Sequence, residues 1–297
     1  MSSGSPESRE SRHASPSAAD LGPVLEPHPR SRGSGASGAW EREHRYGQHV
    51  HLLDNRFLLS ALARLSSPEV RHPEMAGILR QIYQTMLVNV AGREFPAVRA
   101  EIPTRMSERH GEQGVYRGTV LDPRTRVVIV DVIRAGIVPS QTCFEMLTSV
   151  LPPENVRLDH LTMARVSDAS GHVVGVDLHG SKIGGPVEGA ILLLPDPMGA
   201  TGSTTIRAVR HYLQHYGRPA RLVAMPMIAT PEYLRAVLEA LENLVVYTAR
   251  LDRGLSPPDV HETIPGTRWR EERGLDDHGY IVPGAGGMGE VLNNSWC

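Results

Sequence analysis

Asp196 ends an apolar run and opens a turn of small, hydroxyl-bearing residues. The stretch reads Ile191-Leu-Leu-Leu-Pro-Asp-Pro-Met-Gly-Ala-Thr-Gly-Ser-Thr-Thr205. A carboxylate here disfavours a bare phosphate but accepts hydrogen bonds from both hydroxyls of a sugar diol. The backbone N–H groups of the turn and of the helix start suit a phosphate, and Thr201, Ser203, Thr204 and Thr205 add hydroxyl donors. Ile206, Val209, Leu213 and Tyr216 share one face of the helix that follows, and Gly217 stops it. The loop has no Lys and is not a Walker A motif, nor does it carry Gly-x-Gly-x-x-Gly.

Arg134 is the second chemical group. It follows Val127-Val-Ile-Val-Asp-Val-Ile133, a short and nearly all-apolar run of the kind buried on both faces of a parallel sheet. At the carboxyl end of such a strand a residue reaches the ligand crevice, and a guanidinium there grips pyrophosphate bidentately. A helix is predicted over Pro139 to Val150, then an alternating strand over Val156 to Val166 with Arg165 near its end. The third group is backbone. Gly279-Tyr-Ile-Val-Pro-Gly-Ala-Gly-Gly-Met-Gly-Glu290 can approach a planar base closely enough to offer N–H and C=O groups directly.

The pattern Asp-Pro-Met-x-Ala-Thr-Gly-Ser at 196–203 resembles the phosphoribosyl-pyrophosphate (PRPP) loop of type I phosphoribosyltransferases. Its Asp-Pro-Met opening, Arg134-Ala-Gly136 and Gly279-Tyr-Ile-Val-Pro-Gly284 are similar to the uracil phosphoribosyltransferase branch. The resemblance spans residues 49 to 295 or so. It implies the reaction uracil + PRPP → UMP + pyrophosphate, with Asp196 and Arg134 as catalytic residues. PRPP contacts are implied for Arg134, Arg165, Asp196, Pro197, Met198, Gly199, Ala200, Thr201, Gly202, Ser203 and Thr204. Uracil contacts are implied for Ile281, Gly286, Gly287 and Met288, through the backbone. Mg²⁺ is implied as a passenger on PRPP, without a direct protein ligand. Members of the family commonly form homodimers or higher homo-oligomers, and some respond to GTP as an effector.

The chain departs from the family pattern in three places. Arg165 lies between Ala164 and Val166, where the family has an aromatic before it and an acidic or amide residue after it. Gly287 and Met288 replace the family's Asp and Ala, and Glu290 stands where its second Asp would be. Residues 256–274 form an insertion before the base-binding segment, 279–290. These departures keep open a relative that binds PRPP or nucleotides in a regulatory or degenerate way without turnover, and a phosphoribosyltransferase for another base.

The elements that must position these groups predict an α/β fold. The βαβαβ order from 127 to 251 predicts a mostly parallel sheet with right-handed crossovers, and the resemblance implies a doubly wound sheet of type I phosphoribosyltransferase type with a flexible β-hairpin flap and N-terminal helices. The helices are predicted from Phe57 to Leu65 and from Pro73 to Gly92, and Arg93 to Arg117 as extended segments around a turn at Gly111 to Gly114. Ser167 to Gly189 reads as a Gly-rich hairpin, with turns at Asp168 to Gly171 and Gly184 to Pro186, and with His172, His179 and Lys182 within its span; the resemblance makes it the flap. Strands are predicted at Arg221–Ala229 and Leu244–Leu251, with a helix from Pro231 to Asn243 between them.

Residues 1–40 are rich in Ser, Gly and Pro and read as a disordered tail, leaving 41–297 as the phosphoribosyltransferase domain. The chain has 297 residues, 40% apolar and 22% charged, with 31 Lys and Arg against 33 Asp and Glu. That balance argues against a nucleic-acid or membrane partner. No apolar run is long enough for a membrane span, and the first 38 residues lack the pattern of a secretory signal. Two cysteines exclude a disulfide framework and fit a reducing cytoplasm.

Overall fold

The computed structural model describes residues 40–167 and 173–295. The predicted tail and the flap turn at Asp168 to Gly171, with His172, lie outside the described residues.

In chain order the elements are β1 (Val50–Leu52), α1 (Arg56–Leu65), α2 (Glu74–Glu94), β2 (Ala97–Pro103), α3 (Ser107–His110), β3 (Val115–Leu121), β4 (Val127–Ile133) and α4 (Ile137–Thr148). There follow β5 (Val156–Ser167), β6 (Val173–Lys182), β7 (Ile191–Leu194), β8 (Met198–Gly199), α5 (Ser203–His215), β9 (Arg221–Ala224), β10 (Ile228–Ala229) and α6 (Pro231–Ala240). The last are β11 (Leu244–Thr248), β12 (Arg250–Leu251), α7 (Pro258–His261) and α8 (Met288–Asn293).

Seven strands form the main sheet in the order β1-β11-β9-β7-β4-β5-β6. All its pairings are parallel except β5 with β6. The chain runs from β4 outward to β5 and β6, then returns to place β7 on the other side of β4. Neighbouring strands whose connections depart in opposite directions leave a crevice at their carboxyl ends, and here that crevice lies beyond Ile133 and Leu194.

Alternation in β4 makes the layers. Val127 and Ile129 join a core with Leu58, Leu62, Leu79, Tyr83 and Met86 of α1 and α2. Val128 and Val130 join a second core with Val209, Tyr212, Leu234 and Val237 of α5 and α6. Helix starts are locally encoded: the Asn55 side chain accepts from the Leu58 N–H at the start of α1, and Thr230 caps α6 ahead of Pro231.

Several boundaries differ from the sequence reading. Strand β1, missed in the sequence, adds parallel to β11. Helix α2 runs on to Glu94, so Arg93 and Glu94 are helical, and the hairpin tip carries α3 and a 3-10 turn at Gly111–Gly114. Helix α4 starts two residues earlier and α6 ends at Ala240. The buried face of α5 is Thr205, Ala208, Val209 and Tyr212, with Leu213 turned outward.

The strand expected at 221–229 is two strands, because Pro226 has no N–H to continue the ladder. The strand expected at 244–251 divides likewise at Ala249. The continuations β12, β10 and β8 pair again as a small parallel sheet beyond the main one. The antiparallel arm reaches further back than expected, pairing Lys182 with His160.

His44 and His51 are held below the ordinary imidazole value, chiefly by burial. His51 stacks on Tyr247 with ring centres 4.3 Å apart, and its Nδ1 lies 2.6 Å from Glu41. A base whose folded-state value is depressed binds protons more readily in the unfolded chain, so stability falls as pH drops below about 6.5. The melting temperature should therefore fall between about pH 8 and about pH 5.5, and His51→Gln should flatten that fall. An unchanged slope in the variant would remove His51 from the account.

Candidate active site

The crevice contains a cavity of about 720 Å³. Arg134 comes to it from the end of β4, and Asp196 from the end of β7. Because β4 and β7 pair in register from Val127 with Ile191, the two side chains leave the sheet at the same edge. Met198, Ala200 and Thr204 extend the Asp196 wall, and Ile281, Gly286, Gly287 and Met288 form the opposite one. Thr201 and Gly202 line a smaller recess of about 30 Å³ that shares Asp196, Met198, Ala200 and Thr204 with the cavity. Pro197, Gly199 and Ser203 are absent from both linings and shape the loop instead.

The loop is held more firmly than a free turn. Met198 and Gly199 are strand residues, paired with Ile228 and Ala229. The Ile228 N–H donates to the Pro197 carbonyl at 3.1 Å, the Thr230 N–H to Gly199 at 3.0 Å, and the Thr230 hydroxyl to Ala200 at 2.7 Å. Two glycines are required. A Cβ at Gly199 would stand 2.9 Å from Pro226 Cβ, and Gly202 has φ +83° with Val237 2.9 Å from where its Cβ would be. Gly202 caps α5 without a side-chain hydrogen bond. At the start of this 13-residue helix the Ser203 N–H donates to the Thr201 hydroxyl at 3.4 Å, and Gly202 itself claims none of the first N–H groups; helix starts of this kind favour an anion.

Of the four hydroxyls, Thr201 and Ser203 lie 3.0 Å apart. Thr205 faces inward, 3.2 Å from the Tyr233 hydroxyl, rather than serving as a free donor. Asp196 accepts from the Met198 N–H at 3.4 Å. Arg134 lies 3.7 Å from Glu290 and donates to the Ser295 carbonyl at 3.3 Å. Beneath it, buried Asp131 is 2.8 Å from His160; burial raises its carboxyl above the ordinary range and His160 partly offsets this. Arg165 lies in β5 opposite Val176, which lines the cavity, but its side chain lies outside the described residues. From the antiparallel arm Val176 reaches the lining, whereas His179 and Lys182 do not.

The glycine-rich wall depends on two residues the sequence reading missed. Arg250 and Asp252 pair twice, at 2.6 and 2.8 Å. Arg250 also donates to the Gly284 carbonyl at 2.9 Å, and Asp252 accepts the Gly284 N–H at 2.8 Å. The Val282 N–H donates to Gly274 and the Gly254 N–H to Val282, closing the frame. Arg-x-Asp after an apolar strand was the available signal, but its partner lies 32 residues on. Glu290, His278 and Tyr280 also line the cavity. Residues 256–274 contribute nothing to the described lining and pack instead against Tyr46 and α6.

A doubly wound sheet with an acidic loop after one switch-point strand and an arginine after the other defines a type I phosphoribosyltransferase fold. The AQ2163 protein from Aquifex aeolicus shares that fold, with a TM-score of 0.62 at 21% identity over 82% of this chain and 97% of that one. Residues 52–268 match the family model for uracil phosphoribosyltransferase, and the chain belongs to that family. The match stops short of the 279–290 segment. Uracil phosphoribosyltransferase from Thermococcus gammatolerans is 29% identical over 59% of this chain and 64% of its own, so the chain spans slightly less than two thirds of that relative. Its counterpart from Dictyoglomus turgidum is 24% identical over 82% of this chain and 98% of its own.

Proposed function

We propose that the chain transfers the phosphoribosyl group of PRPP to N1 of uracil, forming UMP and pyrophosphate. The observation that carries this reading is the convergence of Arg134, Asp196 and the backbone of 281–288 on one cavity. Asp196 accepts the ribose hydroxyls, and the loop from Gly199 to Thr204 receives the 5′-phosphate at the start of α5. Arg134 draws charge from the leaving pyrophosphate, and the family resemblance extends the same task to Arg165. A new N1–C1′ bond forms as the C1′–O bond breaks, its electron pair leaving with pyrophosphate, and the N1 proton passes to that pyrophosphate or to water. Positioning and electrostatics supply most of the acceleration for a transition state resembling an oxocarbenium ion.

Gly286 to Met288 and Ile281 present backbone to the base. An amino group in place of a carbonyl would leave buried polar groups mispaired, which is costly enough to discriminate. Among the described residues no group of three or more His, Cys, Asp or Glu side chains could hold a metal ion. Asp196 and Glu290 are the two carboxylates of the cavity lining. Mg²⁺ arriving with PRPP would supply positive charge at its phosphates.

The two-stranded β2–β3 hairpin carries exposed Ile102, Met106 and Tyr116, which supports a second copy of the chain as its partner. Among the described residues no helix is long and apolar enough to cross a membrane. The test is UMP formation from PRPP across a panel of bases; folded protein that yields no nucleotide from uracil would sink the proposal. Gly287 and Met288 favour one second reading, transfer to another base, which the same panel detects.

Asp252→Ala should loosen the base wall while sparing the loop at 196–204. The KM for uracil should rise about tenfold or more and the KM for PRPP by less than about threefold. Equal rises in both would show that Asp252 supports the whole site.

A further inference from the structure

We propose that Glu290 positions Arg134 for its anionic ligand, and that residue 287 is glycine in this chain to make room for that carboxylate. The inference rests on the phosphoribosyl-transfer reading of the cavity.

Gly287 does not need to be glycine for its backbone. Its φ of −77° and ψ of 87° lie on the side of the map open to side-chain-bearing residues. What a side chain there would disturb is Glu290: a Cβ at 287 would overlap the carboxylate end of that flexible side chain, which would have to leave its place beside Arg134. Three residues apart at the start of α8, positions 287 and 290 fall on one helix face. The other carboxylate oxygen of Glu290 lies 3.7 Å from the Arg134 guanidinium, and both side chains line the cavity. The carboxylate thus stands between the vacant flank of residue 287 and the guanidinium. An aspartate at 287 would reach this place directly; here a longer side chain reaches it from one turn further along.

Both partners are about one third exposed (34% and 35%), so the pair adds little to folding. Its effect falls on the ligand. Without the carboxylate the guanidinium keeps its hydrogen bond to the Ser295 carbonyl but loses one of the groups that orient it, and binding must supply that ordering. With a second carboxylate at 287 two like charges share one space, and the surplus charge repels pyrophosphate.

The test compares the wild-type chain with Glu290→Ala, Glu290→Gln, Gly287→Asp and the double variant Gly287→Asp/Glu290→Ala. Calorimetry with PRPP and Mg²⁺ gives Kd, and initial rates give kcat with both KM values. Each single substitution should raise the PRPP Kd and KM about tenfold, while the two Glu290 variants change the uracil KM less than about threefold. The double variant should return to within about threefold of wild type, because the aspartate introduced at position 287 restores the carboxylate lost from position 290. Additive losses in the double variant, or wild-type affinity in both Glu290 variants, would overturn the inference. Wild-type protein that binds PRPP without forming UMP would sink the transfer reading alone, leaving Glu290 to be judged on Kd.

Discussion

Asp196→Asn should lower kcat/KM for PRPP by about a thousandfold while the melting temperature stays within about 3 °C of wild type. Asparagine keeps the shape and one acceptor oxygen, so the 3.4 Å hydrogen bond from Met198 survives and the loop keeps its path. What is lost is the charge. On the proposed reading the carboxylate accepts from both ribose hydroxyls and faces a sugar that becomes positive as pyrophosphate leaves. In a partly enclosed site that charge counts for several times its worth in water. The loop itself rests on backbone bonds to Ile228 and Thr230 that the substitution leaves alone. Loss of activity matched by loss of fold would move Asp196 from chemistry to structure. A loss below about tenfold would remove it from the transition state.

Glu272→Ala should destabilise the fold by about 3–5 kcal/mol, the cost of leaving a buried charge without its partner. Glu272 is completely buried. It accepts from Arg253 at 2.8 Å, from the Gly266 N–H at 2.8 Å and from the Tyr46 hydroxyl. Arg253, 8% exposed, also donates to the carbonyls of Val260, His261 and Thr263. This network ties residues 256–274 to the first turn of the domain, far along the chain from them. Urea unfolding measures the loss; kcat/KM of the folded fraction should hold, since the insertion stays outside the described cavity lining. A fall in kcat/KM without a shift in the urea midpoint would assign the insertion to the site instead.

The sheet was legible where one local signal sufficed. Val127–Ile133 is buried over most of its length, and its apolar run marked both ends of β4. The turn at 196–202 combined a lone carboxylate with glycines that the fold requires at 199 and 202. Short strands were not legible: Val50–Leu52 exists because β11 offers an edge, and three residues carry no periodicity. The break after Ala224 was written in Pro226 yet hidden by the apolar residues around it. In the site, Arg250 and Asp252 act on Gly284 across more than thirty residues, and nothing local announces such a partnership. The vacancy at 287 read as a missing carboxylate, because only three dimensions show Glu290 filling it.

The cavity wall at 281–288 belongs to a segment that follows the last strand and is fastened to the body through Gly274, Gly254, Arg250 and Asp252. The Asp196 wall belongs to the sheet itself. A nucleotide touching both walls therefore acts as a clasp between the body and the end of the chain. By mass action its binding energy is added to the free energy that keeps residues 275–295 docked. On the proposed reading, the contacts that read the base make residues 275–295 the part whose protection from proteases reports occupancy.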